Sequence, residues 1–126
     1  MTGVTSHEML TIVTFDFYGQ SLQMLSLDMQ QKLHEGQRVV LGVKPWTIGL
    51  LGMRAEESTF VNQLHVKVQK IEKGSLLTSV LLSVGESRFE SVTVADNSLT
   101  PTLHEGDDVV AVIPAGEISV TEICDG

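Results

Sequence analysis

Cysteine, aromatic residues and long apolar runs are all scarce in this sequence. A single cysteine, Cys124, excludes an intrachain disulfide framework and fits the reducing cytosol, so we expect a cytoplasmic location. No apolar run approaches the ~20 residues of a membrane-spanning helix, so we expect no direct membrane insertion. Four Phe, one Tyr and one Trp offer little surface on which nucleic-acid bases could stack.

Positive charge is also scarce. Eight Lys and Arg face sixteen Asp and Glu, and the net charge is −8. Residues 1–57 carry four basic and six acidic side chains, or −2, and residues 58–126 carry four and ten, or −6. Because nucleic-acid binding depends on basic groups that neutralise phosphates, we expect no nucleic-acid partner.

The hydrophobic pattern predicts an all-β protein. No amphipathic helix of about ten residues is visible, and short alternating segments end at turn residues such as Tyr18 and Gly19. Pro45 should mark an edge or a bend, since proline cannot donate to a strand ladder. Trp46 is expected in the core or at a module interface. We expect strands at 10–15, 21–25, 38–43, 46–51, 64–71, 76–84, 88–94, 109–113 and 117–123, and a short helical turn at 28–32.

A repeat divides the chain in two. Residues 33–40, LHEGQRVV, return seventy positions later as residues 103–110, LHEGDDVV, with six of the eight identical. A repeat at a fixed offset indicates two copies of one module. Modules this small bury little surface alone. We therefore expect the halves to pack on each other, and the chain to form a homodimer or a higher homo-oligomer.

The repeat sets the expected domains. Residues 1–52 form a first, degenerate module, residues 53–58 a linker, and residues 59–126 a second, better preserved module. Each half offers four or five short strands with an irregular crossing before the repeat, which is typical of a small Greek-key barrel of OB type. The second half has an extra strand, at 62–71, with no clear counterpart before Leu10.

The second half resembles the molybdate-binding Mop module, also called the TOBE domain. The resemblance rests on TFVNQL at 59–64, LHEGD at 103–107 and VVAVI at 109–113. The first half, through VVLGVKP at 39–45, is similar to the partner module in the C-terminal regulatory region of molybdate-type ABC transporter ATPase subunits. One departure is clear: Pro114 stands where family members often carry Lys, and its counterpart in the first half is Lys44.

The resemblance implies a tandem OB-like unit that dimerises and binds molybdate or tungstate between modules or subunits. An ATPase domain and a membrane permease would then be its transporter partners. Such a dianion needs donors, namely backbone N–H groups, hydroxyls, amides and a lysine. The positions implied to bind it are Lys44, Ser58, Thr59, Asn62, Asn97, Ser98, Ala115 and Gly116.

Other readings stay open. Thr59 and Asn62 precede a strand, where such residues often serve as turn donors. His34 and His104 recur in the repeat, but neither has a second ligand at metal spacing, so we expect turn roles and no metal cofactor. No phosphate loop or nucleophile motif is present, and we expect no enzyme. The leading function is a regulatory oxyanion-binding domain of an importer ATPase. The alternatives are a structural dimerisation module that has lost ligand binding, or an autonomous cytosolic molybdate-binding or storage protein.

Overall fold

A computed structural model describes residues 2–7, 9–27 and 33–124, and confirms the all-β class. The helical turn expected at 28–32 lies outside the described residues. Within them the chain forms ten strands and three 3₁₀ turns. The strands are β1 Gly3–His7, β2 Leu10–Phe17, β3 Gln20–Leu27, β4 Arg38–Gly42, β5 Gly49–Leu51, β6 Gln63–Lys73, β7 Leu77–Val84, β8 Ser87–Val94, β9 Asp108–Val112 and β10 Ser119–Cys124. The turns are Pro45–Thr47, Thr100–Thr102 and Ala115–Glu117, called below the Pro45, Thr100 and Ala115 turns.

Strands β1, β2 and β3 form an antiparallel meander. The β2–β3 hairpin closes at Tyr18 and Gly19, whose φ angles are 50° and 83°. Two consecutive positive φ angles suit the right-handed twist of a tight hairpin. Alternate residues of the two long strands point inward, and Val13, Phe15 and Met24 are buried there.

The second meander, β6-β7-β8, belongs to a larger sheet of order β5-β9-β6-β7-β8. The long strand β6 serves two partners. Its first half, from Gln63 to Lys67, pairs with β9, and its second half, from Lys67 to Lys73, pairs with β7. An irregularity between Val68 and Lys70 bends the strand between these two pairings.

The two sequence halves exchange their last strands. β5 of the first half pairs with β9 of the second, and β10 of the second pairs with β4 of the first. One core therefore spans both halves. Its buried members include Val13, Phe15, Leu22, Met24, Ile48, Leu64, Val66, Val68, Val80, Leu82, Val109, Ala111, Ile113 and Ile118.

The repeated LHEG segment is a pair of equivalent turns. In the first, the Gln37 N–H donates to the His34 carbonyl at 3.3 Å, and the His34 N–H donates to the Gln37 side chain at 2.8 Å. The second turn reproduces both bonds between His104 and Asp107, at 3.1 and 2.8 Å. Each turn needs a glycine, since φ is 88° at Gly36 and 92° at its counterpart. The turn roles expected for the two histidines are confirmed.

Two expectations about the Trp46 region are wrong. Residues 46 and 47 are not extended, because they belong to a 3₁₀ turn that begins at Pro45, and β5 covers only Gly49–Leu51. The turn is closed by Lys44, whose carbonyl accepts the Thr47 N–H at 3.0 Å and the Thr47 hydroxyl at 2.7 Å. The turn also directs Trp46 outward, where it is 69% exposed instead of lying in the core.

The extra strand of the second half has a partial counterpart, which the sequence did not reveal. β1 pairs with β2 through Val4 opposite Val13, as β6 pairs with β7 through Ile71 opposite Val80. β1 thus corresponds to the second half of β6. Its sequence, GVTSH, lacks the apolar alternation by which strands are recognised.

In the described part of the chain, no helix combines the length and apolar character that a membrane crossing requires.

Candidate functional site

Two equivalent 3₁₀ turns lie where the halves of the chain meet. The Pro45 turn and the Ala115 turn stand seventy positions apart, and each precedes an exchanged strand. The Pro45 turn contacts β8, and the Ala115 turn contacts β3, so each packs on the meander of the other half. Module contacts of this kind are where the resemblance implied an oxyanion site.

The Pro45 turn carries a cation. Lys44 is exposed, and its Nζ lies 5.8 Å from the centre of the Trp46 ring. An aromatic face attracts an ammonium group and restricts where it moves. Among the described residues, the acidic side chains that form ion pairs face other partners, Lys70 and His104. Lys44 therefore offers a positive charge on the surface beside the Trp46 ring, with no acidic partner among the described residues.

The Ala115 turn carries no cation. Pro114 occupies the position equivalent to Lys44, and it supplies neither charge nor N–H. The turn instead contains Glu117, whose N–H donates to the Pro114 carbonyl at 3.0 Å. Ala115 and Gly116 have no polar side chain, so they could bind a ligand through their backbone groups only. A cation suited to an anion is thus present in the first turn, whereas the second has Pro114 at that position and the acidic Glu117 where the first has Thr47.

Asn62 joins the two halves from a fully buried position. Its Nδ2 donates to the carbonyls of Gln23 at 2.8 Å and Ile113 at 3.0 Å, and its Oδ1 accepts the Gln23 N–H at 2.7 Å. Both amide hydrogens are therefore used within the protein. In this chain the side chain holds the start of the Ala115 turn against β3.

Ser58 and Thr59 lie in an ordered, exposed loop before β6. The Ser58 Oγ accepts the Phe60 N–H at 2.9 Å, which makes a local serine turn. Buried Gln63 anchors the loop. Its Oε1 accepts the Ala55 N–H at 2.9 Å, and its Nε2 donates to the carbonyls of Ala55 and Phe60, each at 3.0 Å. The Thr59 side chain remains exposed above this loop.

Asn97 organises the loop between β8 and β9. Its Oδ1 accepts the N–H groups of Leu99 at 3.0 Å and Thr100 at 2.8 Å, and its Nδ2 donates to the Val94 carbonyl at 2.7 Å. These bonds begin the Thr100 turn. Ser98, beside it, is exposed.

The implied site residues thus fall into separate places. Asn62 contacts Ile113 at the approach to the Ala115 turn, whereas Asn97 serves its own loop. Within the described ranges, no hydrogen bond, ion pair or ring contact joins Lys44 to another implied site residue.

Two residues that link the halves were not foreseen. The Gln20 side chain donates to the His65 carbonyl at 3.0 Å and accepts the His65 N–H at 2.7 Å. Its amide thus pairs with both backbone groups of His65, as a residue of a neighbouring strand would. The buried Ser91 hydroxyl donates to the Ile48 carbonyl at 2.7 Å. Neither residue stands in a motif, and each finds its partner more than forty positions away.

Acidic, histidine and cysteine side chains form no cluster of three suited to a metal ion in the residues that the structure describes. Cys124 is exposed and carries a free thiol.

The fold is shared with ModG. A crystal structure of that cytoplasmic molybdate-binding protein, with molybdate bound, superposes with a TM-score of 0.81. The match covers 94% of this chain and 89% of the ModG chain, at 20% sequence identity. It confirms the expected OB-like barrel fold. No protein-family model matches the sequence, and no curated protein matches it significantly.

Proposed function

We propose that this chain is a cytoplasmic binding protein for a small tetrahedral oxyanion of the molybdate class, with no catalytic activity of its own. The observation that carries the proposal is the likeness in fold to ModG over 94% of the chain. Among the three functions that the sequence suggested, this proposal corresponds to the autonomous cytosolic molybdate-binding protein. The match spans both halves of this chain, since it covers 94% of it, together with 89% of the ModG chain.

The Pro45 turn supplies the chemistry that such a ligand needs. An oxyanion is held best by charge-assisted hydrogen bonds, and Lys44 presents an exposed ammonium group at the start of this turn. The net charge of −8 slows the approach of an anion at low salt, but screening within about 10 Å leaves a local donor site effective. Lys44 is therefore the residue on which binding should depend most.

A contact between copies would complete the site. The outer face of the first meander exposes Leu10 opposite Leu27 and Ile12 opposite Leu25, and Leu27 is 73% exposed. A contiguous apolar surface of this kind marks an association site. We propose that it joins two or more copies of the chain. Ile12→Asp should lower the mass measured by sedimentation, whereas Val94→Asp, at an exposed apolar residue elsewhere, should not.

Calorimetric titration with molybdate, tungstate and sulfate tests the proposed ligand. Lys44→Ala should weaken molybdate binding by about tenfold or more, since a hydrogen bond to a charged group contributes about 1.5–3 kcal/mol. Lys73→Ala is the matched control, because it removes the same charge from an exposed strand end and should leave the affinity unchanged. Equal losses in the two variants would show a general effect of charge in place of a site.

Two features favour a second candidate, a scaffold that holds copies or transporter subunits together without a ligand. Pro114 replaces the second lysine, and the donors of Asn62 are used internally. The regulatory region of an importer ATPase is a setting in which either role would serve. If none of the three anions produces heat or raises the unfolding temperature, the scaffold is the better description.

A further inference from the structure

Trp46 is the only tryptophan of the chain, and the Pro45 turn directs it to the surface. The turn is anchored on its other side, because Ile48 is buried and its carbonyl accepts the Ser91 hydroxyl of β8 at 2.7 Å. The Ile48 N–H also donates back to the Pro45 carbonyl at 3.4 Å. These bonds hold the backbone on both sides of Trp46, and the indole stays outside the core at 69% exposure.

The exposed indole has a face and an edge of opposite polarity. The face of an aromatic ring is negative and its edge is positive. The Lys44 ammonium group lies 5.8 Å from the ring centre, as a cation drawn to the face would. The indole N–H lies at the edge, and among the described residues it has no hydrogen-bond partner.

Two donors therefore stand close together on the surface, both free to meet an acceptor. The Lys44 ammonium group has three N–H bonds and the indole of Trp46 has one, and neither side chain carries an acceptor. The pair occupies one three-residue segment whose backbone the turn holds in place. A ligand that accepts hydrogen bonds through several oxygens could bind both donors at once.

The two equivalent turns differ at both of these positions. The seventy-residue offset carries Lys44 to Pro114 and Trp46 to Gly116, so the Ala115 turn has neither side-chain donor. Packing does not impose the difference, since a Cβ atom at Gly116 would have no heavy atom within 4 Å. The cation and the indole are thus present together in one turn and absent together from the other.

We propose that Trp46 is an oxyanion-binding residue, whose indole N–H donates to the same tetrahedral anion as the Lys44 ammonium group. This inference rests on the proposed function and adds to it a residue that the resemblance did not imply. The anion meets the positive edge of the ring, while the negative face holds the ammonium group beside it. A hydrogen bond to an ionised acceptor is stronger than one between neutral groups, so a single indole N–H contributes measurably to affinity.

Trp46→Phe separates the two contributions of the side chain, because it removes the N–H and keeps an aromatic face. Calorimetry should show molybdate affinity about tenfold lower in this variant, since a hydrogen bond to a charged group is lost. Trp46→Leu removes the face as well. It should weaken binding by a further factor of about two to five, as expected for an exposed cation–π contact.

Tyr18→Phe is the matched control. It also removes a donor from an exposed aromatic ring, at the β2–β3 hairpin, and should leave the affinity unchanged. Because Trp46 is exposed, both of its variants should unfold at the wild-type temperature when no anion is present. A loss of affinity in Tyr18→Phe as large as in Trp46→Phe would overturn the inference.

NMR measures the proposed bond directly. A chain with one tryptophan gives one indole N–H signal, and molybdate should shift that signal and slow its hydrogen exchange. Full affinity in Trp46→Phe, or an indole signal that bound molybdate leaves unchanged, would overturn this inference and leave the proposed function intact. If the wild-type chain binds none of molybdate, tungstate and sulfate, the proposed function and this inference fail together.

Discussion

The two halves of this chain contain the same turn and equivalent strands, but they bury equivalent residues differently. Val110 is 3% exposed and Val40 is 44% exposed, although both follow the same LHEG turn and both are valines. The difference comes from their neighbours, since among the described residues β9 lies between two strands and β4 beside one. The surrounding strands, and not the residue or its local sequence, set the burial of a repeated position.

The two halves also differ in which of the implied ligand-binding residues they contain. Lys44 stands in the first half with no equivalent in the second, because Pro114 replaces it. Asn62 stands in the second half, where it bonds to Gln23 and Ile113. Each half therefore holds a different residue of the implied site. The variants below test this division, beginning with the largest expected effect.

Asn62→Ala should destabilise the fold by about 3 kcal/mol, because it leaves one buried and two part-buried backbone groups without partners, and a buried group left unpaired costs about 1–3 kcal/mol. Chemical denaturation measures the change. Asn97→Ala is the comparison, since that side chain bonds only within its own loop, and a lost cap costs about 1 kcal/mol. Equal losses would show that Asn62 does not join the halves.

Val110→Ala should lower the free energy of unfolding by about 2 kcal/mol, from the lost apolar burial and the cavity left behind. Val40→Ala, at the equivalent position, should cost less than about 0.5 kcal/mol, as is usual for exposed sites. Losses of similar size at the two valines would mean that both positions are equally buried in solution.

The glycines of the repeated turns should respond alike. Gly36→Ala and Gly106→Ala each place a side chain at a φ near 90°, and each should cost about 1–2 kcal/mol. Thermal unfolding of the two variants gives the comparison. A much smaller loss for Gly36→Ala would show that the first turn contributes less to the common core than the second.

Among the residues that join the halves, Gln20→Ala should have a small effect, about 1 kcal/mol, because His65 lies near the surface and water can replace the lost bonds. The amide of His65 should then exchange its hydrogen faster in NMR measurements. Unchanged exchange at His65 would remove Gln20 from the contacts that join the halves.

The sequence predicted the class, the repeat and most of the strands, because these follow from alternation and turn residues that act locally. It placed Trp46 wrongly, since the direction of a side chain after Pro45 depends on the turn that closes there. It missed β1, whose apolar content is low. The exchange of β5 and β10 had no local signal, as both are short strands whose partners lie in the other half.

The implied site was harder to predict than the fold. The motif that contains Asn62 marked an important residue, but the pattern could not show that its amide would bond to Gln23 and Ile113. Asn97 likewise serves the Thr100 turn. Polar residues in binding motifs often hold the backbone that meets a ligand, and a sequence does not distinguish that role from direct contact.

The most direct test is to count the molybdate ions bound per chain at saturation by equilibrium dialysis. Because the lysine remains in one half only, we predict about one ion per chain, lost in Lys44→Ala. Two ions per chain would show that the halves bind equivalently and would contradict the division described above, and no bound ion would contradict the proposed function.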